Sequence, residues 1–119
     1  MIETLREIAL GYPGAWEDHP WEEDVVKVGK KIFVFFGQPD EGGRHRFFGV
    51  KLPESSEMAL TFDYVTPTGY GLGKAGWVSV TDPPEDAPWD VFADWIDESY
   101  RAVAPKRLLR ELEERDTMK

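Results

Sequence analysis

Two short runs, Val25-Val26-Lys27-Val28 and Ile32-Phe33-Val34-Phe35-Phe36, constrain the fold of this chain more than any other feature. Both are rich in β-branched and aromatic residues, and Gly29-Lys30-Lys31 separates them, which is the signature of a β-hairpin. The second run is apolar at every position. The strand it forms must therefore be covered on at least part of each face and belongs inside a sheet. A third run, His45 to Leu52, places Phe48, Val50 and Leu52 on one face and Phe47, Gly49 and Lys51 on the other. Connections this short make the three strands antiparallel neighbours.

Around them the period changes. Ile2, Leu5, Ile8 and Ala9 predict a first helix ending near Gly11, and Glu54 to Phe62 predicts a short helix after Pro53. Trp89, Phe92, Ile96, Tyr100 and Val103 recur at steps of three and four, an amphipathic helix that opens at Pro88. Pro105 ends it and opens a last helix bearing Leu108, Leu109 and Leu112. Gly11 to Trp21 and Val65 to Gly76 are rich in glycine and proline and read as connections, with a further strand at Trp77–Thr81. The expected fold class is α+β, a single antiparallel β-sheet with helices packed on one face, in one domain over residues 1–119. Hydrophobic residues make up 41% of the 119, enough for one core.

Charge is unevenly placed. The net charge is −9, yet residues 25–51 hold six bases (Lys27, Lys30, Lys31, Arg44, Arg46 and Lys51) against two acids. Such bases can simply protect and solubilise strand edges. They can also form a face that meets phosphate, with Phe33, Phe35, Phe47 and Phe48 beside it. On a molecule negative as a whole, contact with nucleic acid is expected to be weak and salt-sensitive.

Catalytic constellations fail on context. Gly71-Leu72-Gly73-Lys74-Ala75-Gly76 matches G-x-G-x-x-G, but Thr66-Pro67-Thr68 precedes it and a strand follows, where a dinucleotide site needs a strand before and a helix after. Ser55, Ser56, Ser79 and Ser99 sit in no G-x-S-x-G elbow, and there is no cysteine. Glu17, Asp18, His19, Glu22, Glu23 and Asp24 offer oxygen ligands at a spacing that fits no calcium loop and read as a solvated acidic loop. The expectation is a non-enzymatic protein with no cofactor and no metal site. No apolar run approaches the ~18 residues of a membrane span, and Met1-Ile2-Glu3-Thr4 does not have the pattern of a signal peptide. The expected location is the cytoplasm.

Several stretches, taken together, resemble one family. They are Pro13-Gly14-Ala15-Trp16-Glu17-Asp18-His19-Pro20-Trp21, Lys27-Val28-Gly29-Lys30-Lys31-Ile32-Phe33, Thr66-Pro67-Thr68-Gly69-Tyr70-Gly71-Leu72-Gly73-Lys74 with Trp77, and Asp97-Glu98-Ser99-Tyr100-Arg101. In this order they look like the MmcQ/YjbR family of small bacterial proteins. The resemblance implies a frataxin/CyaY-like fold and a DNA-binding role in which β-hairpins act as a double wing. The wings would be the Lys27–Lys31 hairpin, the Arg44–Arg46 edge and the Gly69–Lys74 loop. The expected nucleic-acid contacts are Lys27, Lys30, Lys31, Arg44, Arg46 and Lys74 to phosphates, with Tyr70 and Trp77 stacking or wedging. The alternative is a module for a protein or small anionic ligand, with a pocket between the sheet and the Gly69–Gly76 loop.

Overall fold

The computed structural model describes residues 1–69 and 71–117. The elements are α1 (Ile2–Leu10), β1 (Ala15–Asp18), β2 (Asp24–Val28), β3 (Lys31–Gly37), β4 (Phe47–Lys51), α2 (Ser56–Ala59), β5 (Val65–Pro67), β6 (Trp77–Thr81), α3 (Trp89–Val103) and α4 (Lys106–Thr117). Among the described residues, six strands form one antiparallel sheet in the order β1-β2-β3-β4-β6-β5, which with the helices is an α+β fold. The hairpin read from the sequence is present. Val28 pairs with Lys31, leaving a two-residue turn in which Gly29 takes a φ of 61°, as the first central position of a type II′ turn demands.

The continuous apolar run of β3 is explained by a bulge. Val26 pairs with Val34 while the next residue, Lys27, pairs with Ile32, so Phe33 is an extra residue in the ladder. Phe33 and Val34 are both fully buried in the same core, although strict alternation would have put them on opposite faces. Phe33 meets Tyr100 of α3 edge-on at 5.2 Å. Beyond the bulge the β3–β4 pairing stops at Val34 and Val50. Ser99 of α3 takes over there: its hydroxyl accepts from the Lys51 N–H at 2.9 Å and donates to the Phe33 carbonyl at 2.5 Å.

The rest of the core follows from alternation. Val26, Val28, Val34, Phe36, Phe48, Val50, Val78 and Val80 join Leu5 and Ala9 of α1 and Phe92, Trp95, Ile96 and Tyr100 of α3. α4 closes the layer with Leu108 and Leu112. A Cβ on Gly14 would come within 2.8 Å of the Leu108 Cδ1, and the φ of 72° there also favours glycine. Val25, Phe35, Phe47 and Trp77 are absent from this core: they lie on the opposite face of the sheet, which no helix among the described residues covers.

From the sequence, β1 and β5 fall within connections. Both are edge strands, of four and three residues, and Pro67 in β5 is tolerated because an edge strand has an unpaired side. The helix expected over Glu54–Phe62 is reduced to Ser56–Ala59. The Glu98 carboxylate accepts from the backbone N–H groups of Glu54 and Ser55 and from the Ser55 hydroxyl, which fixes where that turn begins.

Replacing Ser99 with Ala should cost about 1–3 kcal/mol, because the Phe33 carbonyl and Lys51 N–H lose their buried partner together. Urea unfolding measures this, and an unchanged midpoint would contradict the bridging role.

Candidate nucleic-acid interface

Strand direction decides where the basic residues go. Lys30 and Lys31 form the tip of the β2–β3 hairpin. Because β4 runs antiparallel to β3, its last residue, Lys51, lies at that same end of the sheet, paired with Trp77, the first residue of β6. Lys74 stands just before Trp77 in the 3-10 turn Leu72–Ala75 and is exposed. Lys30, Lys31, Lys51 and Lys74 therefore gather at one end, and among the described residues none of the four has a carboxylate within salt-bridge distance.

Arg44 and Arg46 precede β4 and so lie at the other end, about 15 Å away for a strand of this length. Arg46 is neutralised there: its Nε lies 3.0 Å from Asp40 and its Nη1 3.8 Å from Asp82. The Asp40 carboxyl is held below its usual range by the Arg44 backbone N–H and then by the Arg46 guanidinium. The structure thus separates the two arginines from the lysines with which the sequence reading grouped them. Lys27 lies toward the lysine end on the helix-free face, its Nζ 2.7 Å from Asp18 and 5.3 Å from the centroid of the Trp16 ring. The Lys27 ammonium, with the His19 backbone N–H, keeps the Asp18 carboxyl low. Five of the six expected basic contacts are thereby placed as free or paired, and the sixth, Arg44, is exposed at the arginine end.

The aromatic candidates fare differently. Trp77 is buried edge-on against Phe35 at 5.2 Å and presents no free ring face. Tyr70 lies outside the described residues. Trp16, which the sequence reading did not single out as a contact, is 44% exposed. Its Nε1 donates to the Gly29 carbonyl at 2.9 Å, tying the indole to the hairpin turn. Register sets Trp16, Lys27 and Ile32 side by side across the helix-free face, with Lys51 and Trp77 continuing at the same end of the sheet. Phe47, toward the arginine end of the same face, packs over Gly37 and Gly49, which carry no Cβ; one added at either would be 3.4 Å from the Phe47 ring. Both β2 and β3 are interior strands, so the lysine hairpin is embedded in the sheet rather than projecting as a free wing.

The glycine-rich loop is a tight entry to β6. Gly71 and Gly76 have φ values of 79° and 91°, and a Cβ on Gly76 would sit 2.9 Å from the Leu52 carbonyl oxygen. Four surface hollows of about 470 to 700 Å³ are lined by described residues, and the 69–76 loop borders none of these four.

At the arginine end, acids and imidazoles are hydrogen-bonded to one another. Asp24 accepts at 2.6 Å from His19 and at 2.6 Å from His45, whose backbone N–H and Nδ1 also meet Glu3. Arg6 forks onto Glu17. Burial pushes the Asp24 carboxyl up, but its hydrogen bonds to His45 and His19 outweigh that and leave it lowered. Among the described residues no group of three or more histidine and acidic side chains is arranged to hold a metal ion, and no helix is long and apolar enough to cross a membrane.

A family model described as YjbR matches residues 10–102. That span takes in the sheet, the lysine hairpin, the glycine-rich loop and nearly all of α3. No curated protein matches the chain.

Since the folded carboxyl of Asp24 lies below its unfolded value, its contribution to stability is complete above the ordinary carboxylate pKa of ~3.9 and is lost as pH falls through the lowered value. Asp24→Asn should therefore destabilise the protein near neutrality, with the gap to wild type closing in acid. Thermal melts of both proteins across the acid range measure it. A gap that widens as pH falls would contradict this assignment.

Proposed function

This chain belongs to the YjbR family, and we propose that it is a non-enzymatic DNA-binding protein that meets phosphates through Lys30, Lys31, Lys51 and Lys74. One observation carries the reading: these four ammonium groups share one end of the sheet and, among the described residues, have no carboxylate within salt-bridge distance, while Lys27 and Arg46 are already paired. Opposite charge at such a surface attracts a polyanion within a Debye length of roughly 8 Å, so the local excess acts even though the molecule carries −9. The same net charge keeps the affinity low. Releasing counterions from three or four phosphates gives a slope of log K against log salt of about −3 to −4 on duplex DNA.

Fluorescence anisotropy with a labelled duplex tests this at low salt and in a salt series. Lys30→Glu with Lys31→Glu should weaken binding at least about tenfold, as loss and reversal of two phosphate contacts implies. Arg44→Glu with Arg46→Glu should change it less than about threefold, because those groups lie at the far end and Arg46 is already compensated. No binding of duplex or single-stranded DNA at low salt, or a larger loss from the arginine pair, would contradict the proposal.

A further inference from the structure

Lysines at a sheet end explain attraction to phosphate but not the neighbouring indole. Exposed aromatic side chains are normally free to reorient, whereas Trp16 is held twice, by its hydrogen bond to Gly29 and by Lys27 over its ring, and is still 44% exposed. It sits on the face without helices, at the end of the sheet where Lys30, Lys31 and Lys51 stand. A duplex can use such a ring only by unstacking a base step, which costs a few kcal/mol, because its bases are stacked on one another. An unpaired strand can use it directly: its bases stack on fixed aromatic rings while its backbone follows nearby cations. The two-residue turn at Gly29–Lys30 also offers a groove no projecting wing, whereas the Trp16–Lys27–Ile32 row offers an extended strand a low track across neighbouring strands about 4.8 Å apart.

We propose that the helix-free face is a platform for single-stranded DNA, with a base stacked on Trp16 and the flanking phosphates on Lys30, Lys31 and Lys51. This rests on the phosphate-contact reading above and names the form of DNA that the same end of the sheet takes. Trp16 supplies a contact that every base can make, so affinity depends little on sequence. Lys27, lying across the ring and bonded to Asp18, is a positioning residue for the indole.

The test compares a labelled oligo-thymidine with a duplex of equal length at low salt. Wild type is expected to bind the single strand more tightly. Trp16→Ala should weaken single-strand binding at least about fivefold, the smallest effect expected for loss of one stacked base, and duplex binding less than about twofold. Trp16→Phe, which keeps a ring, should restore most of the single-strand affinity. Circular dichroism reports whether Trp16→Ala is folded. If it is not, Lys51→Glu, on the other side of the sheet's centre, should weaken the single strand at least about fivefold. Duplex binding as tight as or tighter than single-strand binding, or an equal loss for both from Trp16→Ala, would overturn this inference and leave the phosphate reading standing. Failure of both DNA forms to bind would remove both.

Discussion

The hydroxyl of Ser99, seated between the Phe33 carbonyl and the Lys51 N–H, joins α3 to the middle of the sheet where the β3–β4 ladder gives out. It works together with the bulge at Phe33. Without the extra residue, Phe33 would fall on the helix-free face, and its contact with Tyr100 would be lost. With it, two successive β3 side chains enter the core, and the backbone groups left over at the irregularity are met by one buried side chain from the helix. A gap of this kind left open would cost more than the hydrogen bonds themselves contribute, since buried unpaired groups carry their full desolvation penalty. Tyr100 adds a second tie from the same helix, its hydroxyl donating to the Pro13 carbonyl at 2.7 Å. α1, α3 and α4 all pack into the core on that side, and the opposite side is left to Trp16, Lys27, Phe35, Phe47, Lys51 and Trp77.

That division of faces gives the charge distribution its meaning. Opposite ends of a short sheet carry opposite electrostatic characters. At the arginine end, Asp24 is hydrogen-bonded by two imidazoles, Arg46 lies between two carboxylates and Arg6 against Glu17, so both of these guanidinium groups are already paired. Toward the lysine end Lys27 is bonded to Asp18, but among the described residues Lys30, Lys31, Lys51 and Lys74 have no such partner within salt-bridge distance. Compensation lowers the usefulness of a cation to an outside phosphate, because the incoming anion must displace a carboxylate already in place. The four unpaired lysines owe nothing to such partners. Glu3, Glu17 and Asp24 contribute to the chain's negative total, yet their contacts are spent within the arginine end and do not reach across the sheet.

Much of this arrangement was legible in the residues. The β2–β3 hairpin and α3 have strong local signals, a turn glycine between β-branched runs in one case and apolar residues at helical spacing in the other, and both stand where expected. The face carrying Phe47, Gly49 and Lys51 was also readable from alternation. β1 was not, because Trp16, Glu17 and Asp18 lack an apolar alternation and are stabilised by Arg6 and Lys27 from other elements. Missing that strand meant missing Trp16, whose position on the helix-free face follows only from its pairing with Lys27. Arg44 and Arg46 were grouped with the lysines because they are close in sequence. Antiparallel pairing, which carries the start of β4 to the end of β3, separates them. Trp77 reads from sequence as an exposed platform or a buried residue with equal ease, and only its packing on Phe35 decides between them.

The most direct test of the central claim is an amide and indole N–H chemical-shift titration of the intact chain with a short DNA strand at low salt. The account predicts that signals of Trp16, Lys30, Lys31, Lys51 and Lys74 move together and saturably, while those of Arg44, Arg46 and the outer surfaces of α3 and α4 stay in place. Perturbations centred on the arginine end or on the helices, or none at any strand concentration, would contradict it.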